Sequence, residues 1–263
     1  VELKDAVAVV TGGARGIGRG IALSLAQEGA KVVVADLGDR PEIAAEMKET
    51  ARQVEQCGSQ AMLVNVDVRD ASQVADMASK TLERFGRIDI LVNNAGVVGV
   101  APVATMEEAE WDRVLDTNLK GTFLCCKAVV PHMTERRSGR IINMSSQTGK
   151  RGYGFTAHYC ASKFAIIGFT QSLAHELGPS NITVNAICPG EVDTVMWQET
   201  LSPAIALASG STPREAWEEW IRTRVPLGRP QTVEDIGQAV VFLCRAENIT
   251  GESLNVTGGS EMA

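Results

Sequence analysis

Ser146, Tyr159 and Lys163 are the residues of this chain whose types and spacing suit proton transfer. Tyr159 and Lys163 are four apart, so on a helix they share one face, a turn from each other. A phenol with a pKa near 10 is a poor base at neutral pH. A nearby ammonium favours the phenolate, and bringing the phenol to about 7 takes roughly 4 kcal/mol of differential interaction. Ser146 follows the strand expected at 140–144, and its hydroxyl can hold a reacting oxygen near the phenol. His158 adjoins Tyr159 but projects about 100° away on a helix, outside that chemistry. His132 and His175 fall in amphipathic stretches and read as ordinary helix residues. No grouping of His, Cys and carboxylate has catalytic-zinc spacing, so no metal is expected.

A second cluster explains what would react. Thr11-Gly12-Gly13-Ala14-Arg15-Gly16-Ile17-Gly18 follows an apolar run and opens a helical pattern. Glycine at 12 permits a tight turn. Glycines at 16 and 18 let a pyrophosphate approach the backbone at a helix N-terminus. The wider spacing departs from GxGxxG, yet strand, glycines and helix together point to a dinucleotide. Asp36 ends the next strand, where an acid can accept hydrogen bonds from the adenosine ribose. It would also repel a 2′-phosphate, by about 4 kcal/mol per charge pair at roughly 4 Å and an effective dielectric near 20. Arg15 pulls the other way, since a basic loop residue could meet that phosphate. NAD is the expected cofactor. Its positive nicotinamide would add to Lys163 in lowering the phenol pKa.

These groups need a scaffold, and the pattern supplies one. Strand patterns at 7–10, 31–35, 61–66, 88–92, 140–144, 182–187 and 253–256 alternate with helical stretches at 17–27, 41–57, 72–85, 107–136, 158–177 and 232–244. Fully apolar strands between helices predict a doubly wound, Rossmann-type α/β domain, its parallel sheet of about seven strands covered on both faces. One domain spanning 1–263 is expected. The departure is 193–229, which carries Pro203, Pro213 and Pro226, is followed at once by Pro230, and reads as a substrate-binding lid. Inside it, Thr212-Pro213-Arg214-Glu215 combines an N-cap, a first-turn proline and a capping-box glutamate, predicting a helix over 213–224. Trp217 and Trp220 lie in that helix and suit lid, subunit or packing contacts.

Composition narrows the function. The net charge of -7 argues against a nucleic-acid partner, which needs a basic face, and favours no anionic membrane surface. No apolar run is long enough to span a bilayer. The six cysteines form no CxxC pair, which fits free thiols in a reducing, cytoplasmic compartment. A small-molecule substrate is the expected partner.

On these residues the chain resembles the short-chain dehydrogenase/reductase family across nearly its whole length. Thr11–Gly18 matches its cofactor loop, Asp67-Val68 its adenine-contacting pair, and Asn93-Asn94-Ala95-Gly96 its NNAG motif. Tyr159-Cys160-Ala161-Ser162-Lys163 matches YxASK, and the family's serine thirteen residues before the tyrosine picks Ser146 over Ser145. Pro189-Gly190, with Val192 and Thr194, matches the segment that holds the nicotinamide carboxamide. Thr257 departs from a common aspartate in a structural segment. The resemblance implies Tyr159 as acid or base, Ser146 as the orienter of the substrate oxygen, Lys163 on the nicotinamide ribose, and Asn118 at a water in a proton relay. It also implies a homotetramer. The complete set favours an enzyme over a cofactor-binding scaffold.

Substrate class is argued from what flanks these motifs. Gln147 follows Ser146, Glu191 follows Pro189-Gly190, and Trp197 stands just beyond Thr194. An acyl chain would want apolar walls there, because an unpaired buried carboxylate or amide costs several kcal/mol. A polyol, sugar or vicinal diol could satisfy both polar groups, and Ser146-Gln147 with Trp197 resembles NAD-linked polyol and diol dehydrogenases. The competing expectation is an NADPH-dependent 3-oxoacyl-(acyl carrier protein) reductase.

Overall fold

Strands of valine, isoleucine and alanine with no polar face must be covered on both sides, and the chain alternates them with helices to do so. In the computed structural model, which describes residues 1–262, the order is β1 (Val7–Thr11), α1 (Gly16–Gln27), β2 (Lys31–Asp36), α2 (Pro41–Gln56), β3 (Ala61–Asn65), α3 (Ala71–Phe85) and β4 (Ile90–Asn93). Then follow α4 (Glu108–Leu115), α5 (Gly121–Arg136), β5 (Gly139–Met144), α6 (Ala157–Leu177), β6 (Ile182–Pro189), α7 (Ser202–Ser209), α8 (Pro213–Arg224), α9 (Val233–Arg245) and β7 (Ser253–Val256). All seven strands pair in parallel in one sheet, ordered β3-β2-β1-β4-β5-β6-β7.

Side chains alternate across each strand, so one strand feeds two cores. Ala8 and Val10 face a core shared with Ile21 and Leu25 of α1, Met47 of α2 and Ile236 and Val240 of α9. Val7 and Val9 face the opposite core, with Met77 of α3, Val129 and Met133 of α5 and Leu177 of α6. The order reverses direction between β1 and β4, which opens a crevice at the carboxyl ends of these two strands.

The doubly wound sheet agrees with the sequence pattern, with differences at two places. The stretch 107–136 is interrupted: a π-helical turn, Asp116–Lys120, joins α4 to α5 and inserts Asn118 toward the interior. The excursion after β6 holds two helices where the capping pattern marks one. α8 and its capping box form as that pattern predicts. α7 follows a second π-helical turn, Trp197–Leu201, and no side-chain cap announces it.

Candidate active site

A cleft of about 540 Å³ runs along the carboxyl ends of the strands. One end is built by backbone. Gly12 turns with φ +62°, and a Cβ there would sit 2.8 Å from Ala95 Cα. A Cβ on Gly18 would lie 2.0 Å from the Gly12 carbonyl oxygen, so the loop closes onto α1 only without a side chain at 18. Asn94 donates from Nδ2 to the Thr11 and Gly12 carbonyls at 3.0 and 2.9 Å, tying β4 to the loop. Thr11 completes the tie, its hydroxyl accepting from the Asn94 and Ala95 amides at 3.1 Å. Thr11 matters here through that hydroxyl, a role its place at a strand end does not advertise.

This end fits a dinucleotide. Arg15 at the N-cap of α1 provides no side-chain cap, and the first turn holds no acid, so the first amides remain free to donate to a pyrophosphate. Asp36 lines the cleft where β2 ends; its carboxylate accepts from the Ala14 amide at 3.0 Å and the Leu37 amide at 2.8 Å. Those two bonds fix its direction and leave lone pairs for ribose hydroxyls. Asp67 is paired with Arg69, whose guanidinium holds the carboxyl below its usual range. Arg15, Ile17, Arg40, Val68, Ala95 and Gly96 line the same end.

The middle of the cleft gathers the proton-transfer set. α6 presents Tyr159 and Lys163 a turn apart, and Ser146 follows β5; all three line the cleft. The Ser145 hydroxyl is engaged elsewhere, donating to the Lys163 carbonyl at 2.8 Å. Lys163 Nζ donates to the Met144 carbonyl at 2.7 Å and lies 5.6 Å from the Tyr159 ring centre. Asn118, fully buried, accepts from the Val97 amide at 2.8 Å and donates to the Val97 carbonyl at 2.9 Å and Ser162 Oγ at 3.0 Å. Its side chain is thus spent on holding the segment after Gly96. His158 is buried against Glu110 at 3.4 Å, away from the cleft.

Electrostatics in the protein alone run against the simple expectation for the phenol. Burial pushes Tyr159 up to about 12, and the Ser146 hydrogen bond offsets only part of that. Burial lowers Lys163 to about 8. The lysine therefore does not by itself bring the phenol toward neutrality: its ammonium is directed at the Met144 carbonyl, and desolvation outweighs it. A positive nicotinamide ring is the one further charge that the chemistry would bring to this point.

The far end holds the residues expected at a substrate. Pro189, Gly190, Val192, Thr194 and Trp197 line it, with Gln147 opposite. Trp217 and Trp220 of α8 pack on Trp197, with ring centres at 4.9 and 5.8 Å. Glu191 differs from expectation. It is 1% exposed and sits behind the wall, not on it. Gln147 Nε2 donates to its Oε1 at 2.7 Å and Trp220 Nε1 at 3.0 Å, while Ser260 Oγ lies 3.0 Å from Oε2. The protein has already satisfied the carboxylate that a substrate hydroxyl was expected to meet. Ser260 belongs to the same network through Gln147 Oε1 at 2.8 Å, and no motif marks it.

Among the described residues no group of three or more His, Cys, Asp or Glu could hold a metal ion, and no helix is long and apolar enough to cross a membrane.

A parallel sheet with a dinucleotide cradle beside a Ser–Tyr–Lys set defines a nicotinamide-dependent oxidoreductase. Residues 6–204 match the short chain dehydrogenase family, and the chain belongs to it. It is 42% identical to a galactitol 2-dehydrogenase of Agrobacterium fabrum, over the full length of both. An NAD+-bound xylitol dehydrogenase superposes with a TM-score of 0.91 at 32% identity, covering 98% of this chain and 100% of that one. A variant of an actinorhodin polyketide ketoreductase with NADPH superposes at 0.93 with 35% identity, covering 98% of each. The protein is an oxidoreductase acting between alcohols and ketones.

Proposed function

We propose that the protein oxidises a secondary alcohol of a polyol, sugar or vicinal diol, with NAD as its preferred cofactor. The observation that carries the substrate class is Gln147, a buried amide on the cleft wall beside Ser146. Its bonds to Glu191 and Ser260 leave one N–H and one lone pair. A substrate hydroxyl satisfies both, whereas an acyl chain leaves them unpaired at a cost of several kcal/mol. Asp36 carries the cofactor preference, since its carboxylate suits a free ribose and opposes a 2′-phosphate.

Bound along the cleft, the nicotinamide supplies the hydride acceptor or donor. The chain's residues manage the proton and the geometry. Ser146 donates to the substrate oxygen and holds it against Tyr159 Oη. In oxidation the phenolate takes the hydroxyl proton as the carbon loses hydride; in reduction the phenol returns it. Lys163 keeps N–H groups for the nicotinamide ribose besides the one on Met144, and Asn118 steadies the backbone beside Gly96 as a proton relay forms from Lys163 to solvent. Pro189, Gly190, Val192 and Thr194, which line the cleft, would hold the carboxamide of a bound nicotinamide.

The second reading, reduction of a 3-oxoacyl carrier substrate with NADPH, is favoured by Arg15 and Arg40 at the adenosine end, where a 2′-phosphate would find positive charge. Initial rates at 340 nm with sugar alcohols, vicinal diols and hydroxyacyl thioesters, each with NAD and NADP, separate the two. Faster turnover of polyols with NAD is expected. A clear preference for hydroxyacyl thioesters with NADP sinks the first reading. Gln147→Leu should raise KM for a polyol about tenfold while changing a simple cyclic alcohol far less; equal effects would remove Gln147 from the substrate wall. Exposed Trp111 on α4, Phe123 on α5 and Phe164 on α6, with Phe242 on α9, support the homotetramer the family resemblance implies. Sedimentation of a monomer at micromolar concentration would refute it.

A further inference from the structure

Glu191 is a charge-bearing side chain buried to 1% exposure, outside the proton-transfer set and off the cleft wall. Such a group costs several kcal/mol unless it is fully partnered, so its partners say what it is for. They come from three separated parts of the chain. Gln147 stands after β5 and lines the cleft. Trp220 belongs to α8 and lies 5.8 Å, ring centre to ring centre, from Trp197, which also lines the cleft. Ser260 comes from the C-terminal segment. The base is firm: the Glu191 carbonyl accepts from the Gln231 amide at 2.9 Å, and the neighbouring Gly190 amide donates to Val256 at 3.0 Å.

We propose that Glu191 is a positioning residue that sets the substrate wall from behind, fixing the Gln147 carboxamide directly and seating Trp197 through Trp220. The choice of alcohol substrate rests on the reading above; the structural part does not.

The hydrogen-bond inventory explains how. A carboxylate oxygen only accepts, so the Gln147 end that faces Oε1 must be its nitrogen, and the carboxamide is left with its oxygen toward Ser260. The same Oε1 takes the Trp220 N–H. One oxygen therefore aligns a cleft-lining amide and the helix behind the cleft-lining indole. Ser260 has a single hydroxyl proton for three acceptors within reach, Glu191 Oε2, Gln147 Oε1 and the Thr257 carbonyl.

That inventory dictates an unusual variant pattern. In Glu191→Gln the new carbonyl oxygen can occupy the Oε1 place and keep both donors. Its amide then donates to Ser260 Oγ, which gives its proton to Gln147. Glu191→Leu keeps the volume but strands the Gln147 and Trp220 N–H groups.

The test measures KM for the best alcohol substrate, KM for NAD and amide hydrogen exchange along α8. Glu191→Leu should raise the alcohol KM about tenfold, the worth of one to two lost hydrogen bonds, with NAD KM within about twofold. Exchange in α8 should quicken. Glu191→Gln should recover most of both losses. Glu191→Leu combined with Gln147→Leu should cost less than the product of the two single effects, because one acts through the other. Should Glu191→Leu fold poorly, Trp220→Phe removes the indole N–H together with part of the ring, leaves the carboxylate in place, and should quicken α8 exchange by itself. Wild-type alcohol KM in Glu191→Leu, multiplicative losses in the double variant, or α8 exchange unchanged in Glu191→Leu or Trp220→Phe would overturn the proposal. So would Glu191→Gln failing as badly as Glu191→Leu. Exchange is read without substrate, so wild-type protein that ignores polyols would refute the substrate reading and leave the exchange result to decide this one.

Discussion

The two ends of the cleft are made by different means. At the cofactor end a contiguous stretch, residues 11–18, supplies a turn, free amides and a helix start, and Asn94 clamps it from the next strand over. At the substrate end the wall is set by Gln147, Glu191, Trp220 and Ser260, which are far apart in the chain and meet through side chains. Backbone geometry tolerates almost no substitution but serves any dinucleotide. Side-chain networks can be rebuilt one residue at a time, and that is where members of one family can come to differ in substrate.

The largest effect belongs to neither end but to the proton between them. Tyr159→Phe removes one hydroxyl and should lower kcat on the order of a hundred- to ten-thousandfold while leaving NAD affinity within a few-fold. Dinucleotide binding by fluorescence titration beside turnover at 340 nm checks both halves. A variant that keeps near-normal turnover would take Tyr159 out of the acid–base role.

At the cofactor end, Gly18→Ala should raise the Kd for NAD about ten- to a hundredfold, because its Cβ would meet the Gly12 carbonyl oxygen at 2.0 Å. The loop has to open, and NADP should suffer equally. Asp36→Ala should act differently, weakening NAD about tenfold and improving NADP, as a charge-assisted bond is lost and a repulsion relieved. Unequal damage by Gly18→Ala, or equal damage by Asp36→Ala, would break the distinction between a cradle that serves both cofactors and an acid that chooses one.

This contrast also decides what could be read without a structure. The alternating apolar strands fixed the sheet and its two cores, because a strand such as Val7–Thr11 has no face for water. The glycine loop was legible because its constraint is local. Thr212-Pro213-Arg214-Glu215 announced α8 for the same reason. α7 was not legible, since it grows out of a π-helical turn packed on the cleft and has no capping side chain. The place of Glu191 was not legible either. Sequence puts it beside Pro189-Gly190, but only the fold brings Trp220 and Ser260 to it, and those partners turn it from a substrate contact into a support. How the lysine is directed was not legible for a related reason: spacing shows it one turn from the phenol, but not that its ammonium is aimed at Met144.

The smallest effect is one of stability, at the seam where the two ends join. Burial lowers Lys163 to about 8 from an ordinary 10.5. Below about 8 both the folded and the unfolded chain carry the charge, and the folded protein bears the full cost of burying it. Between about 8 and 10.5 the folded protein releases the proton while the unfolded chain keeps it, so stability contributed by this group rises with pH. Above 10.5 both are neutral and the gain is complete. The shift corresponds to about 3 kcal/mol at most. Lys163→Met removes the penalty but strands the Met144 carbonyl, which returns about 1 kcal/mol or more of it. The variant, although inactive, should therefore melt a few degrees above wild type at pH 7. Its advantage should shrink steadily as pH climbs from 8 to 10.5. Tyr159 has the opposite sign and a different window: raised toward about 12, it favours the folded state below 10 and gives that up between 10 and 12. Both proteins keep Tyr159, so the difference between their melting curves isolates the lysine. A difference that stays flat across pH 8 to 10.5 would mean that the ammonium is as well solvated in the folded protein as in the unfolded chain, and the seam would then carry no stored cost.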